Sequence, residues 1–153
     1  MKITKKKIVN IVFLIMWMCF IFYMSGKTAD ASTKDSNFII DLINSLGLNF
    51  SENFGEFASV IVRKGAHLSE YMLLCILIYN VLCDYVEKNK RVYIYSVIGV
   101  FLYACSDELH QIFVPGRAGR FTDVLIDTTG GILGTFIIMI YYKLKDKRIG
   151  SQI

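Results

Sequence analysis

The chain alternates long apolar runs with short polar joints. Residues 8–24 contain no charge, a second apolar run covers 66–83, a third starts at Val92 and stays apolar to Cys105, and a fourth covers 121–142. About 20 apolar residues in a helix cross the roughly 30 Å hydrocarbon core of a bilayer. The pattern predicts an all-α polytopic membrane protein with a single domain over 1–153. Its four transmembrane helices fall at 8–24, 66–83, 92–112 and 121–142, with an outer loop over 25–65 and an outer turn over 113–120. The second helix is expected to begin earlier than its apolar run, near Glu56. A signal peptide is the rival for the first run, because Ala29-Asp30-Ala31 resembles a small-residue cleavage site. Signal cores usually run about 7–15 residues, shorter than this stretch, which favours a span.

Within the outer loop, Phe38, Ile39, Leu42, Ile43 and Leu46 recur at helical spacing, with Asp41, Asn44 and Ser45 opposite. This predicts a short amphipathic helix. It lies on the membrane, caps the bundle, or packs on its own protein.

Composition supports the membrane reading. Of 153 residues, 54% are hydrophobic and 20% charged, with one proline, and mean hydropathy is +0.48. Soluble domains average about 45–50% apolar and about 25% charged. The net charge of +4 does not indicate nucleic acid, because the bases cluster at the ends of apolar runs. With the N-terminus inside, the inner segments hold Lys2, Lys5, Lys6, Lys7, Lys88, Lys90, Arg91, Lys143, Lys145, Lys147 and Arg148. The outer segments hold only Lys27, Lys34, Arg63, Lys64, Arg117 and Arg120. That bias predicts both termini in the cytoplasm. Cys19, Cys75, Cys83 and Cys105 sit in or beside apolar segments without a CxxC pair, and read as small packing residues. A nucleophilic Cys105 is the minority alternative.

The candidate chemistry lies where the apolar pattern is interrupted. "SDELHQIFVPGRAGRFTD" (106–123) carries Asp107, Glu108, His110, Arg117, Arg120 and Asp123 between two apolar stretches. At about 1.5 Å of rise per residue, Asp107 stands about 22 Å above the inner end of its helix, Glu70 about 20 Å and Asp127 about 22 Å. Three carboxylates on three helices are thus expected at one level, with His67, His110 and Asp123 just above. His67/Glu70, Asp107/His110/Gln111 and Asp123/Asp127 each form a stripe on one face. Glu108 is expected about 100° away from Asp107. The Asp127 stripe continues through Gly130, Gly131 and Gly134, and its GxxxG permits close helix approach. Pro115 and Gly116 break the third helix, so that Arg117 and Arg120 fold back over the carboxylates. Arginine there grips a carboxylate or phosphate through two parallel bonds.

These residues resemble the VanZ-like family of small bacterial membrane proteins. "RKGAHLSEYMLL" carries His67, Glu70 and Tyr71 in the family's His-x-x-Glu-Tyr pattern. "SDELHQIFVPGRAGRFTDVLIDTTGGILG" carries its Asp-Glu, His-Gln, Phe-x-Pro-Gly-Arg, Asp and Gly elements in order, and "WMCFIFYMSG" is similar to its Trp-and-Ser first helix. At Asp127 many relatives have asparagine. The resemblance implies an integral protein of the bacterial cell envelope and plasma membrane, whose founding member is associated with low-level resistance to the glycopeptide teicoplanin. It implies no agreed reaction.

Several readings follow. In the first, a polar site at the outer leaflet binds or modifies an anionic lipid or lipid-linked envelope precursor. Here His67, Glu70, Asp107 and His110 are the acid–base candidates, and Glu108, Gln111, Arg117, Arg120, Asp123 and Asp127 the ligand-binding ones. In the second, the cluster is an interhelical clamp. A metal site using His67, Glu70, Glu108, His110 and Asp123 is a sharper variant, but no HExxH motif occurs. A small transporter subunit is disfavoured, because transporter sites usually lie at the midplane. No cofactor or metal is expected, and the bilayer is the expected partner.

Overall fold

The computed structural model describes residues 4–87 and 89–150, the side chains of 148–150 excepted. Lys2, Lys88 and the side chain of Arg148, used above for topology, lie outside the described residues. The elements are α1 (Lys5–Ser25), α2 (Ala29–Ser45), α3 (Phe50–Phe54), a 3-10 turn (Gly55–Phe57), α4 (Ala58–Cys83), α5 (Lys90–Gln111) and α6 (Phe121–Gly150). Among the described residues there is no strand. Four stretches are long and apolar enough to cross a membrane: Lys5–Ser25, Phe50–Cys83, Lys90–Gln111 and Phe121–Lys147. The expected four-span, all-α class is what the chain adopts.

Short polar side chains start the helices by satisfying amides that have no partner within the helix. Thr4 accepts from the Lys7 amide, Thr28 from Ala31, and Asn89 from Arg91 at 2.8 Å. The Ala29-Asp30-Ala31 stretch is therefore the first turn of α2. At the other end, α6 runs past Tyr142 through the lysine-rich tail. Lysines there favour the helix C-terminus and can snorkel to water.

α2 has three faces where the sequence pattern suggested two. Ser32, Ser36 and Ile40 are buried, on the side that meets α4. The apolar residues Phe38, Ile39, Leu42 and Leu46 are exposed along a second face. Asp30, Lys34, Asn37 and Asp41 occupy a third, also exposed. Small serines allow the close approach to α4 that larger side chains would prevent, and this leaves the apolar edge turned outward.

The tightest packing joins α4 to α6, with α5 against both and α1 laid mainly on α4. A Cβ on Gly130 would overlap the Leu68 carbonyl, and one on Gly134 the Met72 carbonyl. A Cβ on Gly131 would meet the Val100 side chain of α5. The glycine stripe is thus the seam that sets the spacing of three helices. Ile21, Tyr71, Leu74, Cys75, Val100, Ala104 and Val124 form the main core beneath the charged layer. All four cysteines are free, and Cys75 packs against Thr135, its Sγ 3.4 Å from Oγ1.

Candidate functional site: two cavities meeting at His67 and Arg117

α4, α6 and the 112–120 turn enclose a cavity of about 160 Å³ lined by charge: Arg63, Lys64, His67, Arg117, Arg120, Asp123 and Asp127, with Gln111. A second cavity of about 320 Å³ lies between α2, the end of α1 and α4. Met24, Phe38, Ile39, Val62 and Ala66 give it an apolar wall, and Glu70 and Ser25 also line it. Arg63, His67 and Arg117 line both.

Local sequence explains how these side chains converge. His67 and Glu70 are one turn apart on α4, so they share a face. Trp17 fixes that turn from α1, its Nε1 donating to the Glu70 carbonyl at 2.9 Å. Asp127 is held by the glycine seam against α4, fully buried, with Oδ1 3.6 Å from His67 Nδ1. One turn nearer the start of α6, Asp123 pairs with Lys64 at 3.1 Å. Gly116, with φ of 75°, makes the turn that returns the chain over the site. Arg117 then donates from Nε to the Lys27 carbonyl at 2.8 Å, tying this turn to the joint between α1 and α2. Burial, reinforced by the neighbouring Arg63 guanidinium, pushes the Arg117 guanidinium below its ordinary pKa. Two guanidiniums held this close favour an anion between them.

The carboxylates are brought together unevenly. Glu70, Asp107 and Asp127 all lie close enough to act electrostatically on His67. Of these three, Glu70 and Asp127 line a cavity and Asp107 does not. Asp107, 2% exposed, sits behind them. Its Oδ2 accepts from Gln111 Nε2 at 3.4 Å, and that amide also donates to Ser25 Oγ at 3.1 Å. Gln111 lines the charged cavity and Ser25 the apolar one, so this short chain of polar groups bridges the two behind His67. Buried oxygens of Asp107 and Asp127, and the Tyr71 hydroxyl, have no hydrogen-bond partner among the described residues. Orphaned polar atoms of this kind are expensive in a membrane interior, and they collect at functional sites.

Two candidates stand apart from this group. His110 stacks on Phe22 of α1, ring centroids 4.2 Å apart, and lines neither cavity. Glu108 is buried, where the helical wheel had left its direction open. Its Oε2 accepts the Arg120 amide at 2.7 Å, immediately before α6 begins. Glu108 therefore ties the 112–120 turn to α5 and lines neither cavity. Arg120 lines the charged cavity, while its amide serves this structural bond. Among the described residues, no three His, Cys, Asp or Glu side chains converge to hold a metal ion.

Arg63 registers in the sequence only as a base flanking the cluster, yet it is one of three residues shared by both cavities. Ser25 and Trp17 likewise carry no charge to draw attention. Both registered in the sequence only through the Trp-and-Ser first helix of the family resemblance.

The comparison with known families decides the relationship. The sequence model of the VanZ/LLP1 family matches residues 10–142. The chain belongs to the VanZ/LLP1 family. That match runs from α1 through the apolar part of α6, so every residue of both cavities lies inside it. No curated protein and no solved structure matches the chain. It is a VanZ/LLP1 membrane protein with four membrane-crossing helices.

Proposed function

We propose that this VanZ/LLP1 protein binds an amphipathic envelope lipid, with the anionic head group in the charged cavity and a chain in the apolar one. One observation carries the reading: the two cavities, opposite in character, meet at Arg63, His67 and Arg117. A phosphate at that junction reaches two guanidiniums and an imidazole, while Met24, Phe38 and Ile39 line the path for a chain. The lysine and arginine bias supports a reading with both termini in the cytoplasm of a bacterial cell and this site in the outer leaflet. Glu70, in the wall of the apolar cavity, is the general-base candidate beside a bound ester and His67 the acid, while Asp107 behind them holds Gln111 and acts on His67 through its charge. His110, turned to α1, is left without that role.

The binding test uses phosphatidylglycerol carrying a fluorescent, photoactivatable chain, titrated into purified protein in phosphatidylcholine nanodiscs and read as labelling of residues 24–39 and 62–70, which line the apolar cavity. Arg63→Gln and Arg117→Gln should each weaken binding about tenfold, and Lys34→Gln, on the exposed face of α2, should not. Unchanged binding in both arginine variants ends the proposal. For the phenotype, expression in a teicoplanin-sensitive Gram-positive host should raise teicoplanin tolerance. Glu70→Gln and Asp107→Asn at matched abundance should abolish the gain. Tolerance equal in all three separates the phenotype from this site.

The clamp reading retains one specific support: Lys64–Asp123 and His67–Asp127 both join α4 to α6. A clamp predicts that Arg63→Gln, outside both pairs, changes neither lipid binding nor melting temperature.

A further inference from the structure

The other end of the bundle carries a second pair of adjoining cavities. One, of about 340 Å³, is lined by Tyr79, Asn89, Lys90, Tyr93, Tyr142 and Asp146. The next, of about 380 Å³, runs along the groove between α4 and α6, with Ile76, Ile137 and Ile138 on its walls. Tyr79 and Tyr142 line both. The tyrosines are ordered by their own packing: Tyr79 stacks on Tyr93 at 5.1 Å between centroids and meets Tyr142 at 6.1 Å. Both cavities lie far from the His67 site, because α4 reaches them only at its C-terminal end.

The charge around them is one-sided. Asp84 accepts from Asn10 at 2.6 Å and lies 3.8 Å from Lys6, which places the start of α1 at this end. Lys5, Lys6, Lys7, Lys90, Arg91, Lys143, Lys145 and Lys147 therefore share it with only three acids among the described residues, Asp84, Glu87 and Asp146. Asp84 is already engaged. Lys90 stands in the cavity wall at the first position of α5. A basic pocket between membrane helices, with an apolar groove beside it, matches the head and chain of an acidic phospholipid.

We infer that this end holds a second lipid site, selective for an anionic glycerophospholipid, with the phosphate at Lys90 and an acyl chain in the α4–α6 groove. The head-group glycerol of phosphatidylglycerol suits the remaining lining, since its hydroxyls can donate to Asp146 and Asn89. Asp146 disfavours a head group carrying a further carboxylate. Tyr79 and Tyr142 divide head from chain, as interfacial tyrosines do.

The site is independent of the His67 cavities, and its test keeps the two apart. Photoactivatable phosphatidylglycerol, with the diazirine in one chain, is incorporated into phosphatidylcholine nanodiscs beside the full-length protein. Adducts are mapped by peptide mass spectrometry. Labelling within 76–80 and 137–142 should exceed that by the matched phosphatidylcholine probe about fivefold. Lys90→Glu should bring it down to the phosphatidylcholine level, and Ile137→Trp, which fills the groove, should lower labelling by both probes. Arg117→Gln should leave these peptides labelled as in the parent. Equal labelling by the two probes, or labelling indifferent to Lys90→Glu, overturns the inference. Should Lys90→Glu lower protein yield, Lys90→Gln and a rise to 0.5 M salt (roughly a 4–5 Å screening length) read the same charge dependence in folded protein.

Discussion

His67 Nδ1 lies 3.6 Å from Asp127 Oδ1 across the α4–α6 seam, and neither oxygen of that fully buried carboxylate is hydrogen-bonded. So loose a contact compensates poorly for removing a carboxylate from water. Asparagine has the same shape and no charge. Asp127→Asn should keep the fold and leave stability unchanged or raise it by about 1–2 kcal/mol. Thermal melting in detergent checks this. A loss of about 2 kcal/mol or more would mean that the ionised carboxylate holds α6 in place.

The glycine seam gives a graded prediction. Gly130→Ala drives a methyl group into the Leu68 backbone, and Gly134→Ala into that of Met72. Backbone cannot swing aside as a side chain can, so each should destabilise by about 1–3 kcal/mol. Gly131→Ala meets only the Val100 side chain and should cost less. Gly65→Ala meets nothing within 4 Å and should be neutral or slightly stabilising. Melting temperatures that fail to rank in this order would show that α4 and α6 can separate freely.

Much of this was legible in the sequence. Apolar run length gave the four spans because bilayer thickness fixes how long a crossing helix must be. Helical rise alone put Glu70, Asp107 and Asp127 in one neighbourhood, and all three lie close enough to act on His67. Rotation about each axis was harder. A wheel groups His110 with Asp107 and leaves the direction of Glu108 open; in the structure Glu108 is buried and His110 faces α1. The end of α5 is covered on one side by α1 and on another by the returning 112–120 turn, and no local pattern encodes a cover supplied from elsewhere in the chain. The outward apolar edge of α2 was hidden for the same reason: the face that packs on α4 is built from serines.

Glu108 and Gly119 should behave as one unit. A Cβ at Gly119 would overlap the Glu108 carbonyl and the Ile112 side chain, while the Glu108 carboxylate accepts the Arg120 amide. Gly119→Ala should therefore displace the turn that carries Arg117. Glu108→Ala should release the same turn by leaving a backbone donor without its partner, at about 1–3 kcal/mol. Glu108→Gln keeps an acceptor oxygen and should stay near the parent. Hydrogen exchange at the Arg120 amide reads this directly. Protection unchanged in Glu108→Ala would show that the bond does not hold the turn.

The joint between α1 and α2 offers a pH-dependent prediction. Lys27 Nζ lies 2.6 Å from Asp35 Oδ2, and both line the apolar cavity. The hydrogen bond to Asp35 raises the Lys27 pKa above its ordinary 10.5, against a smaller opposing effect of desolvation. A raised lysine pKa favours the folded contact while the amine is protonated. Its contribution is therefore complete below about pH 10.5 and fades as the pH climbs through the higher folded value. The pair is open to solvent, so the effect on global stability should be small. The local effect should be larger, because the Lys27 carbonyl also receives Arg117. Asp35→Asn should return the Lys27 titration towards 10.5, read by NMR of the isotopically labelled side chain. It should also speed release of the fluorescent lipid from nanodiscs at neutral pH, since α2 then loses its tether over the apolar cavity. An unshifted titration would show that Asp35 does not hold the lysine in the folded protein. A shifted titration with unchanged release would show that α2 is held over the cavity by its serine face on α4 alone.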